Sequence, residues 1–140
     1  MEGGTSVDKK IKGLRDWVRS FMKYLPMVYV AGVVVGSVAP FGETSRSLSS
    51  IHVLSFRLDY LLHALVFIPF YPLWRWARPG HRWWLVLGGG LAVAWLAEWV
   101  QLYLPYRAYN INDLLANMAG VLLGAALLEA WRSLRADKRN

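Results

Sequence analysis

Four long apolar runs, separated by short polar or basic connections, organise the chain. They cover residues 21–39, 58–74, 83–104 and 111–131. A bilayer core of about 30 Å needs roughly 20 mostly apolar residues in a helix, so each run has the length of a membrane span once tilt or local thinning is allowed. The first ends at Pro40 and the third at Pro105. The second is the shortest and contains Asp59, His63, Pro69 and Pro72, which predicts a kink. Upstream, Val7, Ile11, Leu14, Val18, Phe21, Met22 and Leu25 recur at helical spacing with basic residues between them. That pattern predicts an amphipathic helix on the membrane surface; a solvated basic tail is the simpler alternative. No alternating strand pattern of the kind a β-barrel needs is visible. The predicted fold is all-α: a bundle of four transmembrane helices over residues 24–131, preceded by an interfacial arm over 1–23 and followed by a basic tail over 132–140. The connection over residues 40–56 reads as a loop, with a short amphipathic piece at Leu48, Ile51 and Leu54.

Composition agrees. Of 140 residues, 56% are apolar and 18% charged, against about 45–50% and about 25% in an average soluble domain. Disorder is excluded by the hydrophobicity. The absence of cysteine excludes a disulfide scaffold, thiolate chemistry and Cys zinc sites. The net charge of +7 raises nucleic acid as a partner, but the location of the charges argues otherwise. Thirteen Lys and Arg fall in the N-terminal arm, the second connection and the C-terminal tail; Arg46, Arg57 and Arg107 fall on the other side. The positive-inside rule then places both termini of a multi-pass membrane protein in the cytoplasm. Trp74, Trp76, Trp83, Trp84 and Trp131 would form the inner aromatic belt, and Tyr103, Tyr106 and Tyr109 the outer one. Ser37-Val38-Ala39 resembles a signal-peptide cleavage site, but the long polar arm before it and Pro40 directly after it argue against cleavage.

On this topology the polar residues inside the runs converge. Asp59 and His63, one turn apart, open the second run. Glu98 and Gln101 close the third, Arg107 lies in the loop, and Asp113 and Asn117 open the fourth. At about 1.5 Å rise per residue all seven fall within roughly 10 Å of the outer surface. Charged residues in a span are costly, face the bundle interior and pair. Arg107 and His63 are the expected partners for three carboxylates, Asp59, Glu98 and Asp113. Gly120 and Gly124 follow Asn117 on the fourth run as a small-xxx-small pair, which predicts close helix packing within the chain or between copies. Gly88-Gly89-Gly90 reads as tight packing or local flexibility in the third run.

The spaced set Glu98-x-x-Gln101, Pro105-x-Arg107 and Asp113-x-x-x-Asn117-x-x-Gly120-x-x-x-Gly124, with Asp59-x-x-x-His63 upstream, resembles the VanZ-like membrane proteins. Two positions depart from that pattern: Tyr60 stands where a Lys often follows the Asp, and Phe67 replaces an aromatic hydroxyl. The resemblance implies a cell-envelope protein related to one that lowers teicoplanin susceptibility, with a polar site and no established reaction. Three readings follow. One is an accessory protein whose outer-face pocket binds a polar headgroup, an envelope lipid precursor or a glycopeptide, with Arg107 as the anion contact. A second is an enzyme on a lipid-linked substrate, with His63 or Glu98 as general base; the lack of a nucleophile motif makes this the weaker one. The third is a scaffold or partner subunit in which the polar set only locks helices together. No cofactor is expected. A metal site at Asp59, His63, Glu98 and Asp113 would rest on one His and no Cys, so none is assigned. Membrane lipids are the expected partners, nucleic acid is not, and a homo- or hetero-oligomer is left open.

Overall fold

The computed structural model describes residues 6–39, 52–53, 56–105 and 109–138. Five helices and one small β ladder follow in order: α1 (Ser6–Val38), β1 (His52–Val53), β2 (Phe56–Arg57), α2 (Leu58–Phe67), α3 (Phe70–Ala77), α4 (Trp83–Gln101) and α5 (Ile111–Asp137). Three of them, α1, α4 and α5, are long and apolar enough to cross a membrane. The architecture is that of a helical membrane protein.

The arm and the first apolar run are one helix. α1 continues through Pro26 for 33 residues, about 50 Å, and exceeds the bilayer core. The expected boundary near residue 23 is therefore not a break in structure. Pro26, inside α1, is buried. Trp17 stacks on Phe21 one turn away, with ring centroids 5.8 Å apart.

The second run is divided. Pro69 and Pro72 lack the N–H groups that would bond the Leu65 and Ile68 carbonyls, which ends α2 and starts α3. Ile68 and Pro69 still keep helical dihedrals. Ile68 N donates to Ala64 O at 3.1 Å and Leu73 N to Pro69 O at 3.0 Å, so the i−4 ladder resumes on both sides of the break. The pair is a proline-kinked rod, and it extends to Ala77 rather than Trp74. Before it, β1 and β2 pair antiparallel, with His52 opposite Arg57 and Val53 opposite Phe56. This ladder stands where the sequence pattern predicted only loop and a short amphipathic turn; Leu48, Ile51 and Leu54 lie outside the described residues. Two residues per strand are too few for hydrophobic alternation to register.

α5 is the central element. It packs on α2, α3 and α4, while α1 docks on α3 and α4. The cause is the small-residue stripe. A Cβ at Gly120 would overlap the Ala64 carbonyl, and one at Gly124 the Ile68 carbonyl. The α2 backbone therefore rests directly on α5, with glycine Cα–H groups in place of side chains. Gly90 serves the same purpose between α4 and its neighbours: a Cβ there would come within 2.8 Å of both Phe70 and Val121. Gly88 and Gly89 have nothing within 4 Å. The dry core is small, with Phe67, Ala94, Ala97 and Val121 in one cluster and Phe70, Tyr71 and Val86 in the other. The outward faces carry exposed Leu115, Leu122, Leu123 and Leu127, a surface suited to lipid. At the C-terminal end of α5, Glu129 gathers the Tyr71 hydroxyl at 2.8 Å, Arg132 at 3.2 Å and Arg75 at 3.8 Å, which ties α3 to α5.

Gly120→Val and Gly124→Val should each lower stability by about 1–3 kcal/mol or prevent folding, because backbone carbonyls cannot give way. Gly88→Ala should leave stability unchanged or raise it. Thermal unfolding of the detergent-solubilised protein, followed by circular dichroism, checks the contrast.

Candidate functional site

The polar residues at the α2 N-terminus, the α4 C-terminus and the α5 N-terminus form one cluster with a sealed floor and a more open rim. Glu98 and Asn117 are 0% and 1% exposed, and Gln101 and Asp113 are buried as well. Nearer the surface, the side chains of Arg57 and His63 keep 34% and 27% of their exposure.

His63 is the link between α2 and α5. Its Nδ1 lies 3.0 Å from Asn117 Oδ1. A carboxamide oxygen can only accept, so Nδ1 carries the proton. Nε2 then faces Asp113 Oδ2 at 3.9 Å, within ion-pair range and beyond a direct hydrogen bond. The geometry follows from the glycine contact: Ala64, whose carbonyl meets Gly120, adjoins His63, and Asn117 is one turn from Gly120 on α5.

Asn110 organises the other side. It is the N-cap of α5, with an extended backbone, and its Oδ1 accepts from Asn112 N at 3.0 Å. Its Nδ2 donates to Asp113 Oδ1 at 3.1 Å, and its backbone N donates to Glu98 Oε1 at 3.4 Å. One residue thus caps a helix, holds a carboxylate on that helix and holds a second on α4. Asp113 in the first turn of α5 also suits the positive end of the helix dipole.

Asp59 takes a different partner from those expected. Arg57 grips it with both arms of the guanidinium, Nε to Oδ1 at 3.2 Å and Nη2 to Oδ2 at 2.5 Å. The pair holds the Arg57 proton more tightly than usual, through that hydrogen bond first. Arg57 also lies over the Tyr60 ring, 4.6 Å from its centroid, and Asn112 Nδ2 reaches the Tyr60 hydroxyl at 3.4 Å. Tyr60 therefore helps to seat a cation supplied from three residues earlier. Arg107 lies outside the described residues.

Sequence reading placed Asp59, His63, Glu98, Gln101, Asp113 and Asn117 at one level, and the structure brings them to one end of the bundle. It missed Arg57, Asn110 and Tyr60. The signals were present: Arg57-x-Asp59 sets a cation two residues from a carboxylate at a helix start, and Asn110-x-x-Asp113 has capping spacing.

A family model described as VanZ/LLP1 matches residues 17–132. The chain belongs to the VanZ/LLP1 family. The match takes in α1 from Trp17 onward, α2, α3, α4 and all but the last five residues of α5, and with them every described residue of the polar cluster in this VanZ/LLP1 protein. No curated protein and no solved structure matches the chain. Among the described residues, no three His, Asp or Glu side chains are grouped so as to hold a metal ion. The cluster holds both hydrogen-bond donors and acceptors, from the guanidinium and imidazole at its rim to the carboxylates and carboxamides at its floor.

A His63→Ala, Asn117→Ala double-mutant cycle in this VanZ/LLP1 protein should give a coupling of about 0.6 kcal/mol and no more than about 1.7 kcal/mol, the range found between membrane helices. Urea or thermal unfolding in detergent measures it; additive single variants would show that the His63–Asn117 contact contributes nothing.

Proposed function

We propose that this VanZ/LLP1 protein is a cell-envelope accessory protein of the bacterial inner membrane, binding the polar part of an envelope lipid precursor or a glycopeptide such as teicoplanin at the outer end of its bundle. The observation that carries the reading is the burial of Glu98, Gln101, Asp113 and Asn117 at one end of two adjacent helices, with the more exposed Arg57 and His63 at the edge. Ionisable groups inside a membrane protein are costly, and one that is retained there is a functional-site candidate by default. Arg107, which falls between α4 and α5 in sequence, is assigned the anionic part of the ligand. In a teicoplanin-susceptible host, expression of the wild-type chain should reduce susceptibility. Glu98→Gln and Arg107→Ala should each abolish that effect at unchanged membrane levels. Full activity in both variants would refute the pocket.

The chain is read as crossing the membrane four times, with both termini in the cytoplasm. Support comes from the kinked pair α2–α3, whose 20 residues over 58–77 measure about 30 Å, and from the thirteen basic residues on one side of the alternation. The native chain has no cysteine, so a single introduced one reports its own side. In intact cells, a membrane-impermeant maleimide should label Tyr109→Cys and spare Ser133→Cys. The reverse pattern overturns the reading, through an inverted topology or loss of the α2–α3 crossing, and labelling of both means that α5 does not cross.

A scaffold role is the second reading. It is favoured by how many contacts close within the cluster: Arg57 to Asp59, His63 to Asn117 and Asn110 to Asp113. On that reading, loss of activity in each variant would follow loss of thermal stability in proportion. On the binding reading, Glu98→Gln loses activity and keeps its melting temperature.

A further inference from the structure

A second feature lies at the opposite end of the bundle from the polar cluster. α1, α3 and α4 enclose a groove of about 440 Å³, within the size range of small-molecule sites. Its walls are apolar. Met27 and Ala31 come from α1, Phe70 and Trp74 from α3, and Leu85 and Gly89 from α4. Phe70 and Trp74 stack at 5.8 Å and 18°, which gives one wall a flat face. Gly89 leaves the opposite wall open, because no atom lies within 4 Å of where its Cβ would stand. Met27 and Leu85 are about half exposed, so the groove communicates with the outer surface of the bundle.

One end of the groove is polar, and the turn that adjoins it is basic in sequence. His81, from the turn between α3 and α4, lines it. Trp74 Nε1 donates to His81 Nδ1 at 3.2 Å, which leaves Nε2 as the protonated nitrogen. Arg75 Nη1 fixes the same turn through the His81 carbonyl at 2.6 Å. Arg75 is occupied by Glu129, but Arg78 and Arg82, on either side of His81, have no carboxylate within 4 Å among the described residues. Trp76, Trp83 and Trp84 are exposed beside the turn, at the level where indoles meet lipid headgroups. An apolar slot that opens sideways, with a cationic turn at headgroup depth, matches a chain joined to an anion.

We propose that the groove holds one acyl chain of an anionic phospholipid, with its phosphate against Arg78, Arg82 and His81. The proposal rests on the membrane-embedded reading above and is independent of the outer polar site. It is tested on the full chain in detergent micelles equilibrated with equal phosphatidylglycerol and phosphatidylcholine, with bound lipid counted by native mass spectrometry. The wild type should retain one phosphatidylglycerol, favoured over phosphatidylcholine by about fivefold for each guanidinium engaged. Gly89→Leu fills the slot without backbone conflict and should remove the retained lipid while helicity by circular dichroism is unchanged. Arg78→Gln with Arg82→Gln should retain both lipids alike. Glu98→Gln should retain phosphatidylglycerol as the wild type does, which separates this site from the outer one. Equal retention of the two lipids by the wild type, undiminished retention in Gly89→Leu, or a dimer seated on the groove in place of lipid would overturn the proposal.

Discussion

The approach of the α2 backbone to the glycine stripe of α5 is the contact on which the remaining geometry depends. Gly120 and Gly124 present no side chain, so the carbonyls of Ala64 and Ile68 rest on α5 at a distance that any Cβ would forbid. In lipid there is little hydrophobic gain from helix association, and close packing of small residues has to replace it. Two consequences follow. His63 comes within reach of Asn117 and Asp113, and Ile68, whose carbonyl has lost its helical donor to Pro72, is placed against α5 just before the kink.

The kink divides the bundle into two working halves. On the α2 side, helix starts and ends bring polar groups together, and Asn110 joins α4 to α5 through Glu98 and Asp113. On the α3 side, the redirected helix meets α1 and α4, buries Phe70 and Tyr71, and leaves the apolar groove that ends at His81. The prolines that end α2 thus decide both where the polar site stops and where the groove begins. At the basic end, Glu129 holds Tyr71, Arg75 and Arg132, so the kinked rod is fastened to α5 at both of its ends.

The legibility of the site differed by residue type. Glu98, Gln101, Asp113 and Asn117 stood out because each interrupts an otherwise apolar run, and burial of a polar group in a span is too costly to be incidental. Arg57 and Asn110 did not stand out, because they sit just outside the runs, where polar residues are ordinary. Their importance comes from direction: a guanidinium turned forward onto Asp59, and a capping amide within reach of two helices at once. Arg107 and His63 were likewise the expected partners for all three carboxylates, whereas Asp59 pairs with Arg57.

Chain-local physics set the helical class, the apolar runs, the positions of the proline breaks and the set of residues available for a polar site, because hydropathy, backbone propensity and the cost of buried charge act over a few turns. Three outcomes were decided only in three dimensions. α1 runs unbroken through the expected arm boundary and on through Pro26, whose local helix-breaking tendency is overridden. The Gly120–Gly124 stripe packs within the chain, because the facing α2 carbonyls already fill the space a second copy would need. The groove beside His81 exists only where α1, α3 and α4 meet, and its residues, each an ordinary lipid-facing side chain in sequence, acquire a common purpose through that meeting.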